Sequence, residues 1–296
     1  MENLNTYTIK DLENLSGIKA HTIRIWEQRY GLLCPKRTDS NIRYYDSGEL
    51  KKLLSIALLN KYGFRISHIQ KMSEKELTDK ILSLNNTEAQ LDRFLTNLIG
   101  AMIDLDLEKF ESQLDAFILS KGIDKTITQI VFPFLDKIGL LWTTNHINPA
   151  QEHLVTNLIR QKLIVGIEGA FSPMDKQVHV MLLLPEGDFH ELGLLYLNYV
   201  LKTRGIKTIY LGANIPLKDA AYVADRKQLD FVYIHMTAVL NNFNTQSYLK
   251  DIQKYFPNTS VVLSGRLINK TDLQCNIKNI SIKRSFAEVI QFVQSL

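Results

Sequence analysis

From about residue 177 the chain changes its period. Four apolar runs, at 178–184, 207–211, 231–235 and 260–263, alternate with helical patterns near 190–204, 216–226, 243–255 and 285–295. Runs of that length read as strands buried on both faces, and strand-then-helix repetition specifies a parallel sheet covered by helices on both sides. Ile280 and Ile282 alternate with polar residues, so Ile277–Lys283 can supply a fifth strand. Ligands of such sheets sit beyond the carboxyl ends of the strands. The loops after strands one, three and four are therefore the places for a site.

Upstream the spacing is helical. Leu107, Phe110, Leu114, Phe117 and Ile118 share one helix face, as do Val155, Ile159, Leu163 and Ile167. The stretch from about 74 to 172 has the length of a four-helix bundle. Pro133, inside Ile130–Leu141, predicts a helix start or a kink. Residues 7–73 are cut into shorter pieces. Thr8 can cap a helix running through Leu15, with Gly17 as the break. His21–Tyr30 forms a second helix that Gly31 ends. The polar residues 37–41 read as a hairpin tip leading into Ile42-Arg43-Tyr44-Tyr45. Asp46 then caps a helix to about Tyr62, and Ser67–Met72 starts another.

Charge divides the chain the same way. Residues 1–73 hold twelve Lys/Arg against seven Asp/Glu, whereas the remaining 223 hold 23 against 24. A basic first unit on a near-neutral body points to a polyanion partner for that unit alone. The two cysteines, Cys34 and Cys275, form neither a disulfide framework nor a paired metal knuckle, so a reducing cytoplasm is expected. No apolar run reaches 18 residues and the first residues do not read as a signal peptide, so no membrane partner is expected.

Two constellations carry chemistry. Ile9–Ile18 followed by Thr22-Ile23-Arg24-Ile25-Trp26-Glu27 is a helix-turn-helix pattern, with Lys19, His21, Thr22 and Arg24 left for a DNA groove. Arg37, Asn41, Arg43 and Tyr44 on the hairpin can clamp phosphates beside it, because guanidinium forks suit phosphate oxygens. The second is Asp188-Phe189-His190-Glu191-Leu192-Gly193, directly after the first apolar run. A carboxylate two residues before a histidine can orient the imidazole and improve it as a metal ligand. The same residues also fit a helix-capping histidine with no metal. No separate acid–base or nucleophile set stands out, so an enzyme is not expected.

The stretch Thr22–Leu32 and then Arg43-Tyr44-Tyr45 resembles the MerR family of transcription regulators over residues 5–73. That resemblance implies a winged helix-turn-helix and a dimer on double-stranded operator DNA. Thr22 and Arg24 would then face the major groove, Arg43 and Tyr44 would hold the backbone, and Trp26 and Tyr30 would be core. Trp142 with Glu152-His153, followed by Asp188-x-His190-x-x-Gly193, is similar to the cobalamin-binding, light-sensing carotenoid-gene repressors. The likeness implies a multidomain α and α/β protein. Its parts would be a reader over 1–75, a helical bundle capping cobalamin over 76–174, and a Rossmann-like cobalamin-binding domain over 175–296.

The family likeness also implies roles. His190 would be the lower cobalt ligand of adenosylcobalamin or methylcobalamin, with Asp188 on its other ring nitrogen. Gly193 would let the detached nucleotide tail pass close to a helix backbone. Thr237 and Val239 match the family's Ser-x-Val/Leu element, whose hydroxyl meets the tail, and Ser264-Gly265 stands where the family has Gly-Gly. Trp142 would cover the upper cobalt face, with Glu152 and His153 beside it. Two positions depart from the pattern: Ser264 replaces a glycine, and Thr143 stands where light-sensing members can have a histidine. His146, His179 and His235 receive no role. The expected function is a cobalamin-controlled DNA-binding repressor that self-associates to a dimer or tetramer, with a protein antirepressor as a further partner. The alternative is a regulator of the same architecture that has lost cobalamin and answers to a protein.

Overall fold

The computed structural model describes residues 6–142, 148–172, 175–237, 244–270 and 278–296. Its contacts divide the chain into two compact units, Met1–Ile159 and Arg160–Leu296.

The first unit opens with α1 (Ile9–Ser16) and α2 (Ala20–Tyr30), the ribbon β1 (Lys36–Arg37) and β2 (Arg43–Tyr44), then α3 (Ser47–Lys61) and α4 (Ile66–Ile69). It continues through α5 (Glu74–Leu82), α6 (Thr87–Ile103), α7 (Leu107–Thr126), one π-helical turn at Ile127–Val131, α8 (Phe132–Trp142) and α9 (Pro149–Glu168). Local chemistry sets the starts. Thr8 and Asp11 form a reciprocal capping box at α1, Asp46 accepts from the Glu49 amide at α3, and Ser73 with Glu76 repeats the box at α5. Ser73 also explains why α4 stops at Ile69, short of the expected Met72: the chain must extend to cap the next helix. Proline has no amide to donate. The wide turn just before α8 absorbs Pro133, so the expected irregularity takes the form of a π turn.

The packing in this unit runs from reader to bundle. Leu12, Leu15, Ile23, Leu50, Leu53 and Tyr45 are buried under the two short helices and the hairpin. α1 packs on α8, and α3 packs on both α5 and α6. Lys61 Nζ pairs with Asp92 Oδ2 at 2.5 Å and Glu88 Oε1 at 2.9 Å, Tyr62 donates to the same Asp92 at 2.8 Å, and Lys51 pairs with Asp104 at 2.7 Å.

The second unit takes the C-terminal end of α9, then β3 (Lys176–Pro185), α10 (Leu192–Lys202), β4 (Ile206–Ile215), α11 (Leu217–Ala224), β5 (Phe231–His235) and α12 (Thr245–Tyr255). It ends with β6 (Ser260–Ser264), α13 (Arg266–Lys270), β7 (Ile280–Lys283) and α14 (Phe286–Ser295). The five strands form one parallel sheet in the order β4-β3-β5-β6-β7. That is a doubly wound sheet, and its topological switch point lies between β3 and β5. Val180–Leu184, Val232–Ile234 and Val261–Leu263 are buried, as strands covered on both faces must be. β4 outruns the predicted 207–211 because a bulge at Leu211 restarts the ladder at Gly212 and carries it to Ile215. No helix among the described residues is long and apolar enough to cross a membrane.

Gly265, just past β6, has φ +111°, and a Cβ there would lie 2.3 Å from the Met236 carbonyl oxygen. The backbones that follow β5 and β6 therefore touch, and only glycine permits it. Gly265→Ala should cost about 3 kcal/mol or more of stability. Urea unfolding followed by circular dichroism measures this, and an unchanged midpoint would show that the Met236 backbone yields.

Candidate functional site

The switch point is built around one carboxylate. Asp188 is fully buried in the loop after β3. Its Oδ1 lies 3.0 Å from both the backbone amide and Nδ1 of His190, and its Oδ2 accepts from the Thr237 amide, after β5, at 2.6 Å. The loop backbone is tied to the end of β4 as well. The Asn214 amide donates to the Asp188 carbonyl at 3.0 Å, and Asn214 Oδ1 accepts from the Gly187 amide at 2.9 Å. His190 itself is well exposed, with 58% of its side chain accessible. An imidazole held through Nδ1 by a buried carboxylate keeps its proton on that nitrogen, which makes Nε2 the lone-pair side. This is the arrangement of a histidine prepared to bind a metal or accept a proton.

Next to it lies a second, inward-facing cluster. The Tyr233 hydroxyl donates to Ser264 Oγ at 2.7 Å, and that oxygen is 2.8 Å from Nδ1 of His235. β5 and β6 bring the pair together in register, His235 opposite Ser264. A serine hydroxyl that accepts from the tyrosine satisfies the trio by donating to an unprotonated Nδ1. The ring then reaches toward α10, where its Nε2 lies 2.9 Å from the position a Cβ on Gly193 would take. Burial drives the His235 pKa down to about 4, against the opposing pull of Asp188. Burial also raises the Tyr233 hydroxyl above its ordinary range.

Glu191 braces the same loop from outside. It accepts from the Tyr210 hydroxyl at 2.8 Å and pairs with Arg160 at 2.6 Å. Neither Glu191 nor His235 stands out in sequence. One looked like spacer within the Asp-x-His-x-x-Gly pattern, the other like a strand residue. Among the remaining expected residues, Glu152 is half-buried and His153 exposed on the first turn of α9, their side chains 3.9 Å apart. Trp142 closes α8. Its side chain, Thr143, His146 and Val239 lie outside the described residues.

In the first unit the reader residues gather on α2 and the hairpin. Lys19, His21, Arg24, Arg37 and Asn41 are exposed, while Thr22, Arg43 and Tyr44 are half-buried. Arg37 donates to Asn41 Oδ1 at 2.6 Å, squaring the hairpin tip. Glu27, with no role expected of it, fixes the hairpin to α2: it accepts from the Tyr45 hydroxyl and pairs with Arg43 at 3.4 Å. Trp26 is core, and Tyr30 is half-buried.

Residues 7–76 match the family model of the MerR HTH family regulatory protein, and residues 95–165 match the model of a B12 binding domain. The chain joins a MerR-type DNA-binding reader to a B12-binding domain. It is 26% identical over 260 residues to the HTH-type transcriptional repressor CarH of Myxococcus xanthus, across 85% of this chain and 86% of that protein. It is 29% identical over 213 residues to the repressor CarA of the same organism, across 71% and 69%. The monomethylamine corrinoid protein of Methanosarcina barkeri shares the fold, with a TM-score of 0.53 at 14% identity over 67% of this chain and 96% of that one.

The switch-point residues suit a corrinoid in one place and not in another. The Asp188–His190 pair suits a cobalt, because it offers an imidazole oriented through Nδ1 on an exposed loop. The space beside Gly193 does not suit a nucleotide tail as it stands, because the His235 ring is in it. The cluster also gives the second unit a pH signature. Above about pH 6.5 His235 is neutral whether folded or unfolded, and it contributes no slope. Between about 6.5 and 4 the unfolded chain binds the proton first, so stability falls, by on the order of 3 kcal/mol in total. Below about 4 the loss is complete. His235→Gln should remove that share of the slope in urea midpoints taken from pH 7.5 to 4, and an unaltered slope would show that other groups set it.

Proposed function

We propose that this chain is a DNA-binding transcriptional repressor whose assembly on its operator is controlled by a corrinoid of the cobalamin type. The observation that carries the reading is the Asp188–His190 pair at the switch point of a parallel sheet, in a chain that also carries a MerR-type reader. The similarity to two repressors over most of the chain supports repression over catalysis. A bound corrinoid would supply a cobalt centre able to accept an imidazole ligand.

In this reading His190 offers Nε2 to the cobalt, and Asp188 keeps the ring in the donating tautomer. Glu152, His153 and Trp142 would hold the corrinoid from the bundle side. A ligand acts only through its preference for one of two states, so the corrinoid favours the dimer or tetramer that holds DNA. Light would act here only if the bound corrinoid carried a photolabile upper group, and Thr143, where light-sensing members can have a histidine, favours corrinoid sensing over light sensing. Lys19, His21, Thr22 and Arg24 read the groove of double-stranded DNA, and Arg37, Asn41, Arg43 and Tyr44 hold phosphates. The domains would be 1–75 for the reader, 76–174 for the bundle and 175–296 for the corrinoid-binding sheet. A second reading, a regulator that answers to a protein partner instead of a corrinoid, draws support from His235 and Ser264, which fill the place expected for the tail.

Absorbance titration with adenosylcobalamin, with sizing in darkness and after illumination, separates the two. His190→Ala should weaken corrinoid binding at least about tenfold while DNA affinity without the corrinoid stays unchanged. An identical spectral titration in the variant would remove His190 from the cobalt. Arg24→Ala should weaken operator binding by about tenfold or more, and parent binding should fall steeply with salt because phosphate contacts release counterions. Salt-insensitive binding would overturn the reader assignment.

A further inference from the structure

Four residues are assigned to the nucleotide tail by family resemblance: Gly193, Thr237, Ser264 and Gly265. In the structure two of them, Gly193 and Ser264, meet one side chain that has no assigned role, and the other two flank its backbone neighbour Met236. His235 stands against the missing Cβ of Gly193, with its Nε2 2.9 Å away. Its Nδ1 is 2.8 Å from Ser264 Oγ, which is itself held by Tyr233 at 2.7 Å. Thr237 lies two residues further on, with its amide already given to Asp188. The Met236 backbone between them packs against Gly265, where even a methyl group has no room. A small residue at 193 ordinarily leaves space for a ligand. Here the space is taken by the protein's own imidazole.

We propose that His235 is a specificity residue that occupies the tail's place and biases the site toward corrinoids lacking the nucleotide tail. The proposal rests on the corrinoid reading above and narrows it to a ligand class. Two features make the ring a fixed occupant. It is anchored to a buried serine whose hydroxyl is also engaged by a buried tyrosine, so displacing it breaks its hydrogen bond to Ser264 and leaves that hydroxyl with the tyrosine alone. It also projects from the last residue of a central strand, paired with Ser264 on β6, directly after Ile234, which is held in the ladder to β3. The His190 ring lies on the loop after β3 and is held by Asp188, whereas the His235 ring is held by Ser264. A cobalt ligand can therefore be kept while the tail is refused.

The test compares two probes on the full chain in darkness, aquocobinamide without the tail and hydroxocobalamin with it. Cobalamin must also release its own base before any tail can thread, so the parent's preference alone decides nothing. The deciding quantity is the ratio of the two affinities between parent and variant. His235→Gly should raise cobalamin affinity about tenfold or more, the scale of one buried hydrogen bond lost from the unbound state. It should leave cobinamide affinity within about threefold. Ser264→Gly, which only unhooks the ring, should move the ratio in the same direction by less, and it serves if His235→Gly proves unfolded by its circular dichroism melt. In the parent, the His235 imidazole NMR signals should stay in place when cobinamide binds. An unchanged affinity ratio in both variants overturns the plug. So do His235 signals that shift equally with both probes. Absence of any spectral change with either probe, in parent and variants alike, instead overturns the corrinoid reading itself. Cobalamin binding gained only by His235→Gly supports the plug in its strongest form.

Discussion

A single buried carboxylate organises the second unit. Asp188 has no solvent to stabilise its charge, so its cost must be met by donors, and the donors come from two loops that are distant in sequence. The Thr237 amide belongs to the end of β5, and the His190 amide and ring belong to the end of β3. These are the two strands on either side of the switch point, where the connecting helices diverge and a crevice opens. The carboxylate thus closes the floor of that crevice and sets the histidine at its rim. Glu191 adds a brace through Tyr210 and Arg160. Hydrogen bonds to carboxylates thus fix the loop at both of its acids, Asp188 and Glu191.

Glu27 repeats the principle in the reader. A largely buried acid on the recognition helix gathers Tyr45 and Arg43 from the hairpin. The hairpin is then positioned by α2 instead of hanging from it. Arg43 was expected to face phosphates, and its half-buried position against Glu27 means that any phosphate contact is made by a preoriented guanidinium. Preorientation lowers the entropy lost on binding.

Much of the fold was legible because its signals are local. Apolar runs of strand length alternated with helical periods, and the capping residues Thr8, Asp46 and Ser73 stood where helices begin. The Asp188-x-His190 spacing foresaw the hydrogen bond that forms. What escaped was everything decided by register between strands. His235 carries no motif, and its meaning arises only because β5 sets it beside Ser264 and beneath Gly193. Ser264 was visible as a departure, but its partner was not. Glu27 and Glu191 were hidden for the same reason: a side chain's long-range partner is a property of the fold. The bulge that lengthens β4 and the π turn before Pro133 are likewise adjustments of backbone to context.

The ion pairs of α3 have a consequence for how such a protein can be cut or recombined. Lys51 and Lys61 belong to the reader by sequence, yet their partners Asp104, Asp92 and Glu88 belong to the helical bundle. With α1 seated on α8 and α3 on α6, the joint is laminated, with no tether between the two parts. A reader excised near residue 75 would carry an orphaned face, and a bundle grafted to another reader would meet a mismatched one. A reader cut from this chain would need that face covered again.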